Sequence, residues 1–271
     1  MVRTLARTRQ NGCNNFDGDD VREATSWRMP DVAALVHVHP QAIAWQSEDP
    51  NKLQVVTNTS RGLVPGGYCV SPAHFRDLQH DPAKVTQLAT AARISLKMPP
   101  VVRIDSAALD HWRAVFTEPG QVGISKTLDS WRLARELAAA VVSRQRTSEV
   151  LDQLIGIGEG TKPVGDQVVV GVLAGLSARR QRSDELSLLV RERLDRTTAS
   201  GRHDLAWAID GEFSERIHMI VLSLHTPAAA RAQARRAGGW RGASGLDLAC
   251  GVMAGIEAPG VPTPAHVRTR G

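Results

Sequence analysis

The chain has 271 residues, of which 42% are apolar and 23% charged, with a formal net charge of +5. This composition is typical of a globular protein with one large domain or two smaller ones. No apolar stretch approaches the roughly 18 to 20 residues of a membrane helix, and the N-terminal residues carry no signal-peptide pattern. We therefore expect a cytoplasmic protein that does not contact a membrane.

Three further absences limit the function classes. The cysteines (Cys13, Cys69 and Cys250) are far apart without a CxxC pair, which argues against a disulfide framework and a zinc site. The densest basic cluster, at 177–185, is immediately followed by acids, so we expect no nucleic-acid partner. The pattern around 156–163 fits neither the Walker nor the Rossmann signature, so we expect no cofactor.

The N-terminal half shows strand-like patterning. Residues 1–30 are polar and are predicted to form a mobile lead-in, whereas 31–124 contains short apolar runs separated by prolines and glycines. We predict a small α+β unit with an antiparallel sheet there, interrupted by a helix over 80–97. His37 and His39 share one face of a strand, but without a nearby acidic ligand they favour a structural role over a metal site.

The period changes to 3.6 from about residue 125, which predicts a mainly helical domain over 125–271. Overall the chain is predicted to be α+β. Pro227 is expected to end or bend the penultimate helix. The predicted helices cover 125–145, 165–178, 183–196, 213–225 and 245–257.

A repeat lies within the helical part. Shifting the sequence by 80 positions places 162–175 over 242–255, so that Gly165, Gly171 and Gly175 coincide with Gly245, Gly251 and Gly255. Each copy predicts a tight turn followed by a helix with GxxxG spacing, which permits close backbone approach. If the two helices pack on each other, both helix N-termini open at one place and favour an anion there. Packing alone remains the alternative.

These motifs carry a resemblance to a known family. GIGEGTKPVGDQ (156–167) resembles the G-x-G-x-G-L-T-P-S-G-D-D signature of the bacterial family that contains the third subunit of oxamate carbamoyltransferase. GASGLDLACGVMAG (242–255) resembles its C-terminal signature, and 62–70 and 214–230 resemble two further segments in the expected order. Lys162 and Gln167 depart from the signature, where a neutral residue and a second acid stand, and make this loop more cationic.

The resemblance implies an enzyme subunit that forms a C–N bond by attack of an amine, with loss of an oxyanion. The first candidate is aziridine-ring formation by sulfate elimination in actinobacterial natural-product biosynthesis. Its substrate would be tethered to an acidic carrier protein, and a small partner subunit would be required. The alternatives are carbamoyl transfer from carbamoyl phosphate and a non-catalytic subunit that lends binding surface to an enzyme.

The chemistry requires cationic or N–H groups for the leaving oxyanion and a carboxylate for the amine. Glu215, Arg216 and His218 have helical spacing, for which an exposed ion pair and a surface histidine are an equal alternative. Arg61 and Tyr68 flank a turn and are weaker candidates for the substrate edge. The predicted catalytic residues are Lys162, Asp166, Asp247 and Glu159, and the predicted substrate- or anion-binding residues are Gly158, Gly160, Thr161, Gly165, Ser244, Gly245, Arg216 and His218.

Overall fold

The computed structural model describes residues 22–88, 91–101, 103–117, 124–181, 183–240 and 244–259. Its N-terminal part forms a six-stranded sheet in the order β2–β3–β4–β5–β1–β6. The strands are β1 (Arg22–Ala24), β2 (Leu35–His39), β3 (Ala42–Gln46), β4 (Leu53–Asn58), β5 (Gly67–Val70) and β6 (Ala92–Ile94).

The sheet is mixed, which corrects the predicted antiparallel arrangement. Antiparallel pairing joins β2 to β3, β3 to β4 and β1 to β5, but β4 pairs with β5, and β1 with β6, in parallel. Parallel neighbours need a long connection rather than a hairpin, and a periodicity of two does not distinguish the two directions. Strand β1 also lies within the segment 1–30, which we predicted as a lead-in, because Arg22 and Glu23 pair with Cys69 and Tyr68.

The alternation of side chains along β3 gives the sheet two different apolar faces. Ile43 and Trp45 are fully buried against a cluster that includes Phe75 of the first helix. Ala42 and Ala44 point the other way, where Leu53, Val55 and Val64 complete a second small cluster. On this second face, the alanines of β3 present only methyl groups and so leave room above them.

The rest of the described chain is mainly helical, and the α+β class is confirmed. The four predicted helices after residue 160 are present, with Pro227 at the start of the next helix, where its missing N–H costs nothing. The predicted helix over 80–97 is wrong: a 3₁₀ helix spans Pro82–Gln87 and β6 follows. The α-helices are α1 (Pro72–His80), α2 (Ser106–Thr117), α3 (Ile124–Ser143), α4 (Thr147–Asp152), α5 (Val164–Ala178), α6 (Asp184–Arg191), α7 (Ala199–Ile209), α8 (Glu215–Leu222), α9 (Pro227–Gly238) and α10 (Ser244–Glu257).

Helices α5 and α10 are the two copies of the repeat, and they pack directly on each other. A Cβ built on Gly171 would lie 2.3 Å from the carbonyl oxygen of Leu248, and a Cβ on Gly251 would lie 2.2 Å from that of Val168. Adding 80 to the numbers of Gly171 and Val168 gives Gly251 and Leu248, so the two contacts are equivalent under the repeat. The two helices are therefore related by an approximate twofold axis. Gly171 meets Gly251 and Gly175 meets Gly255, so the helices run in the same direction and their N-termini lie at the same end.

No helix among the described residues is long and apolar enough to cross a membrane.

Candidate functional site

A cavity of about 680 Å³ lies over the small-residue face of the sheet. Ala42, Ala44, Leu53 and Val55 of β3 and β4 line it on one side. The glycine-rich loop 156–163 and the helices α5, α7 and α8 line it on the other. Residues from both the sheet and the helical part therefore meet at one concave site of substrate size.

Three cationic side chains line this cavity. Arg216 Nε donates to the carbonyl oxygen of Arg61 at 3.0 Å, and its guanidinium lies 4.6 Å from the ring of Trp240. Burial, together with the neighbouring charge of Arg61, lowers the pKa of Arg216 to about 10. The pKa of Lys162 is also lowered, first by burial and then by Arg61 and Arg216, although Asp204 opposes this. Arg61, Lys162 and Arg216 thus lie within electrostatic range of one another around one cavity.

Asp204 of α7 is the carboxylate that faces these cations. It forms an ion pair with Lys162, and Gln167 Nε2 donates to its Oδ2 at 3.3 Å. Burial alone would raise the pKa of Asp204, but the ammonium of Lys162 keeps it below its ordinary value. Asp204 is therefore ionised and fixes the direction of the Lys162 side chain.

Asp166 anchors the glycine-rich loop from below. Its Oδ1 accepts a hydrogen bond from Gly156 N–H at 2.8 Å, and its Oδ2 accepts one from the Thr197 hydroxyl. Asp166 is fully buried. At the other end of the loop, the Thr198 hydroxyl donates to the carbonyl oxygen of Thr161 at 2.7 Å. The start of α7 thus fixes the loop on both sides of its exposed tip.

Asp247 occupies the position in α10 that corresponds to Gln167 in α5. Its Oδ1 accepts a hydrogen bond from the Ser130 hydroxyl at 2.7 Å, and its side chain is almost wholly buried. The repeat therefore places an acid and an amide in equivalent positions that face different neighbours. Gln167 lines the cavity and donates to Asp204, whereas Asp247 accepts from Ser130 of helix α3.

The structure brings some of the predicted site residues together and leaves others apart. Glu159, Gly160, Thr161, Lys162 and Arg216 line the cavity. The side chain of Ser244 lies outside the described residues. Six predicted residues are not among those that line the cavity: Gly158, Gly165, Asp166, His218, Gly245 and Asp247.

Backbone geometry explains several of these glycines. A Cβ on Gly165 would lie 1.8 Å from the Leu154 carbonyl oxygen, and one on Gly245 would lie 2.4 Å from that of Ala237, so both permit close packing. Gly165 N–H already donates to the carbonyl oxygen of Ile157 at 3.0 Å. Side chains, rather than this helix-terminal N–H, therefore supply the positive groups of the cavity.

The SERIH segment at the start of α8 is structural except for Arg216. Glu215 accepts a hydrogen bond from Leu63 N–H at 3.0 Å and forms an ion pair with Arg22 at 2.9 Å. The ring of His218 is buried, with its Nε2 3.1 Å from the Leu96 carbonyl oxygen. The alternative of a surface histidine is thus wrong.

The cavity residues that sequence reasoning missed include His203 and Asp204. Both lie on α7, a helix we did not predict, and the signal that could have located it is the N-cap Thr198, which accepts from Gly201 N–H at 3.0 Å. His37 and His39 also line the cavity. Among the residues the structure describes, no group of three or more histidines, cysteines or acids is placed to hold a metal ion.

Comparison with known proteins agrees with part of this description. A family model described as oxamate carbamoyltransferase subunit AllH matches residues 154–256, which contain both glycine motifs, Lys162, Asp204 and Arg216. Residues 62–70 lie outside the match. Neither the curated proteins nor the solved structures gave a significant match. Over residues 154–256, less than half of its length, the chain is similar to the oxamate carbamoyltransferase subunit family.

Proposed function

We propose that the chain is a subunit of a carbamoyltransferase-type enzyme and that its cavity binds the substrate that carries the leaving oxyanion. The observation that carries this proposal is that Arg61, Lys162 and Arg216 all line one cavity, in which Asp204 forms an ion pair with Lys162. The family match supports the reaction class.

Carbamoyl transfer makes definite demands on such a cavity. A nitrogen nucleophile attacks the carbonyl carbon of carbamoyl phosphate, the C–N bond forms, and the C–O bond to phosphate breaks. Phosphate leaves with the electron pair, so cationic groups around it stabilise the transition state. Lys162, held by Asp204, and the two arginines supply that charge.

The nitrogen must lose a proton as it attacks, so a carboxylate is needed near the nucleophile. Of the acids we predicted for this role, Glu159 lines the cavity, whereas Asp166 and Asp247 are buried in hydrogen bonds beneath it. We assign the amine-orienting role to Glu159. Asp166 holds the loop that carries Glu159 and Lys162.

A second candidate is ring closure to an aziridine with loss of sulfate. It rests on the departure of Lys162 and Gln167 from the family signature, and both side chains contact the same carboxylate, Asp204. In this reaction the amine attacks the carbon that bears the sulfate, the C–O bond breaks, and sulfate takes the electron pair. The amine proton passes to a carboxylate.

Turnover assays separate these candidates. The full chain, alone and with the products of neighbouring genes, is incubated with carbamoyl phosphate and oxamate or with an amino sulfate ester, and release of phosphate or sulfate is measured. We expect phosphate release dependent on an amine acceptor. Sulfate release alone would favour the second candidate. The complex is also assayed with Lys162→Met and Arg216→Gln in this chain. If these substitutions leave the activity of the complex unchanged, this chain is a non-catalytic subunit.

A further inference from the structure

His203 is the histidine of α7 that lines the cavity beside Asp204. Its side chain is 4% exposed, and its Nδ1 accepts a hydrogen bond from the backbone N–H of Leu53 at 3.0 Å. A nitrogen that accepts a hydrogen bond carries no proton, so the neutral ring has its proton on Nε2. The backbone of β4 thereby fixes which nitrogen is the donor.

The ring is also fixed in orientation and charge. It packs edge-on against Trp207, with ring centroids 6.4 Å apart, and Lys52 Nζ lies 4.1 Å from the centre of the Trp207 ring. The pKa of His203 is lowered to about 4, first by burial and then by the charges of Lys162, Arg61 and Lys52, while Asp204 opposes the shift. His203 is therefore uncharged near neutral pH.

Among the residues that the structure describes, Nε2 has no hydrogen-bond acceptor in the protein. Nε2 is open to the cavity rather than enclosed by protein, so an oxygen of a ligand bound there can accept from it. The cations of the same cavity already suit a charged oxygen. A neutral donor beside them suits an oxygen without charge.

We propose that His203 Nε2–H donates a hydrogen bond to an uncharged oxygen of the substrate, so that the cavity selects molecules in which a carbonyl oxygen lies close to an anionic group. This assignment rests on the proposed function, since it requires the cavity to be the substrate site. It makes His203 a specificity-determining residue, while the net charge of the cavity comes from its neighbours.

Two substitutions separate the two ring nitrogens. In His203→Asn, the amide oxygen can take the place of Nδ1 and accept from Leu53 N–H, but nothing replaces Nε2–H. In His203→Gln, the amide N–H₂ reaches the place of Nε2, but the acceptor for Leu53 N–H is lost. The first variant therefore tests ligand selection and the second tests the structural hydrogen bond.

The probes are phosphonoacetamide, which has a carbonyl oxygen beside its phosphonate, and propylphosphonate, which lacks that oxygen. Affinities of the full chain for both are measured by calorimetry, and unfolding midpoints are measured in parallel. In His203→Asn we expect the preference for phosphonoacetamide to fall about tenfold, the worth of one hydrogen bond, with propylphosphonate unaffected. His203→Gln should keep the preference within about threefold and unfold at a lower temperature.

The outcomes distinguish this assignment from the proposed function. Wild-type protein that binds both probes, with a preference that His203→Asn leaves unchanged, overturns the role of His203 alone. Wild-type protein that binds neither probe overturns the cavity as the anion site, and the role of His203 with it.

Discussion

Gly171 and Gly251 oppose each other across the α5–α10 contact, and a Cβ on either would lie 2.8 Å from the Cα of the other. At this distance nothing larger than hydrogen fits without moving a helix backbone. The glycine-rich loop 156–163 leads into α5 at the cavity, so this contact helps to fix where that loop lies. The repeat in the sequence thus has a direct packing role.

Replacing either glycine by alanine should destabilise the protein. Overpacking of a close contact costs about 1 to 3 kcal/mol, which exceeds the gain of up to about 1 kcal/mol from the better helix propensity of alanine. Gly239→Ala is the matched control, because a Cβ there meets its nearest atom at an ordinary 3.5 Å. Chemical denaturation measures all three variants. Gly171→Ala as stable as Gly239→Ala would contradict the close contact.

Substitutions of Asp166 and of Glu159 should have different effects, the first on stability and the second on turnover. Asp166→Ala removes the acceptor for Gly156 N–H and for Thr197, so we expect a loss of about 2 to 3 kcal/mol in unfolding free energy. Glu159→Gln changes an exposed side chain and should leave stability unchanged while lowering turnover at least tenfold, since it removes the carboxylate assigned to the amine. Thermal unfolding and steady-state assays test the pair. The reverse pattern would return the catalytic role to Asp166.

The pH dependence of the unfolding free energy should contain a contribution from the protonation of His203. Its folded-state pKa of about 4 lies below the ordinary 6.5, so the unfolded chain takes up the proton first as the pH falls. The stabilising contribution is complete above pH 6.5 and is lost between 6.5 and about 4, up to roughly 3 kcal/mol. His203→Asn lacks this titration, so the difference in unfolding free energy from wild type should shrink over the same range. A constant difference from pH 7 to pH 4 would show that the ring is not held neutral.

Lys162 and Asp204 should affect anion affinity in opposite directions. Lys162→Met removes a cation that faces the ligand and should weaken propylphosphonate binding about tenfold. Asp204→Asn removes the negative charge that competes with the ligand for Lys162 and should strengthen binding severalfold, while lowering turnover because Lys162 loses its fixed direction. Calorimetric titration at low salt measures both affinities. Weaker binding in both variants would indicate that the ion pair between Lys162 and Asp204 supports the structure of the cavity rather than the binding of the anion.

The sequence predicted the parts of the fold that depend on local patterning. The helices that begin at Val164 and Ser244 follow from 3.6-residue periodicity, and their mutual packing follows from the repeated glycines. The parallel pairing of β4 with β5 could not be predicted in the same way, because it depends on which distant strands become neighbours.

The candidate site was predictable only in part for a similar reason. The glycine-rich loop located Lys162, but its partner Asp204 is 42 positions away, in a helix with weak amphipathic patterning. Asp166 was predicted to be a catalytic acid because it lies in the glycine-rich motif together with Lys162. Burial beneath the loop, which distinguishes an anchor from a reacting group, is a property of the folded chain.

The central claim is that the cations of the cavity form an anion site, and Arg61 tests it most directly because, within the described part of the chain, its guanidinium forms no ion pair or hydrogen bond. Propylphosphonate is titrated at low salt into wild type, Arg61→Gln and Arg231→Gln, the last on the exposed face of α9. We predict one binding site, weakened about tenfold by Arg61→Gln and unchanged by Arg231→Gln. Equal affinities for wild type and Arg61→Gln, or equal losses in both variants, would contradict the account.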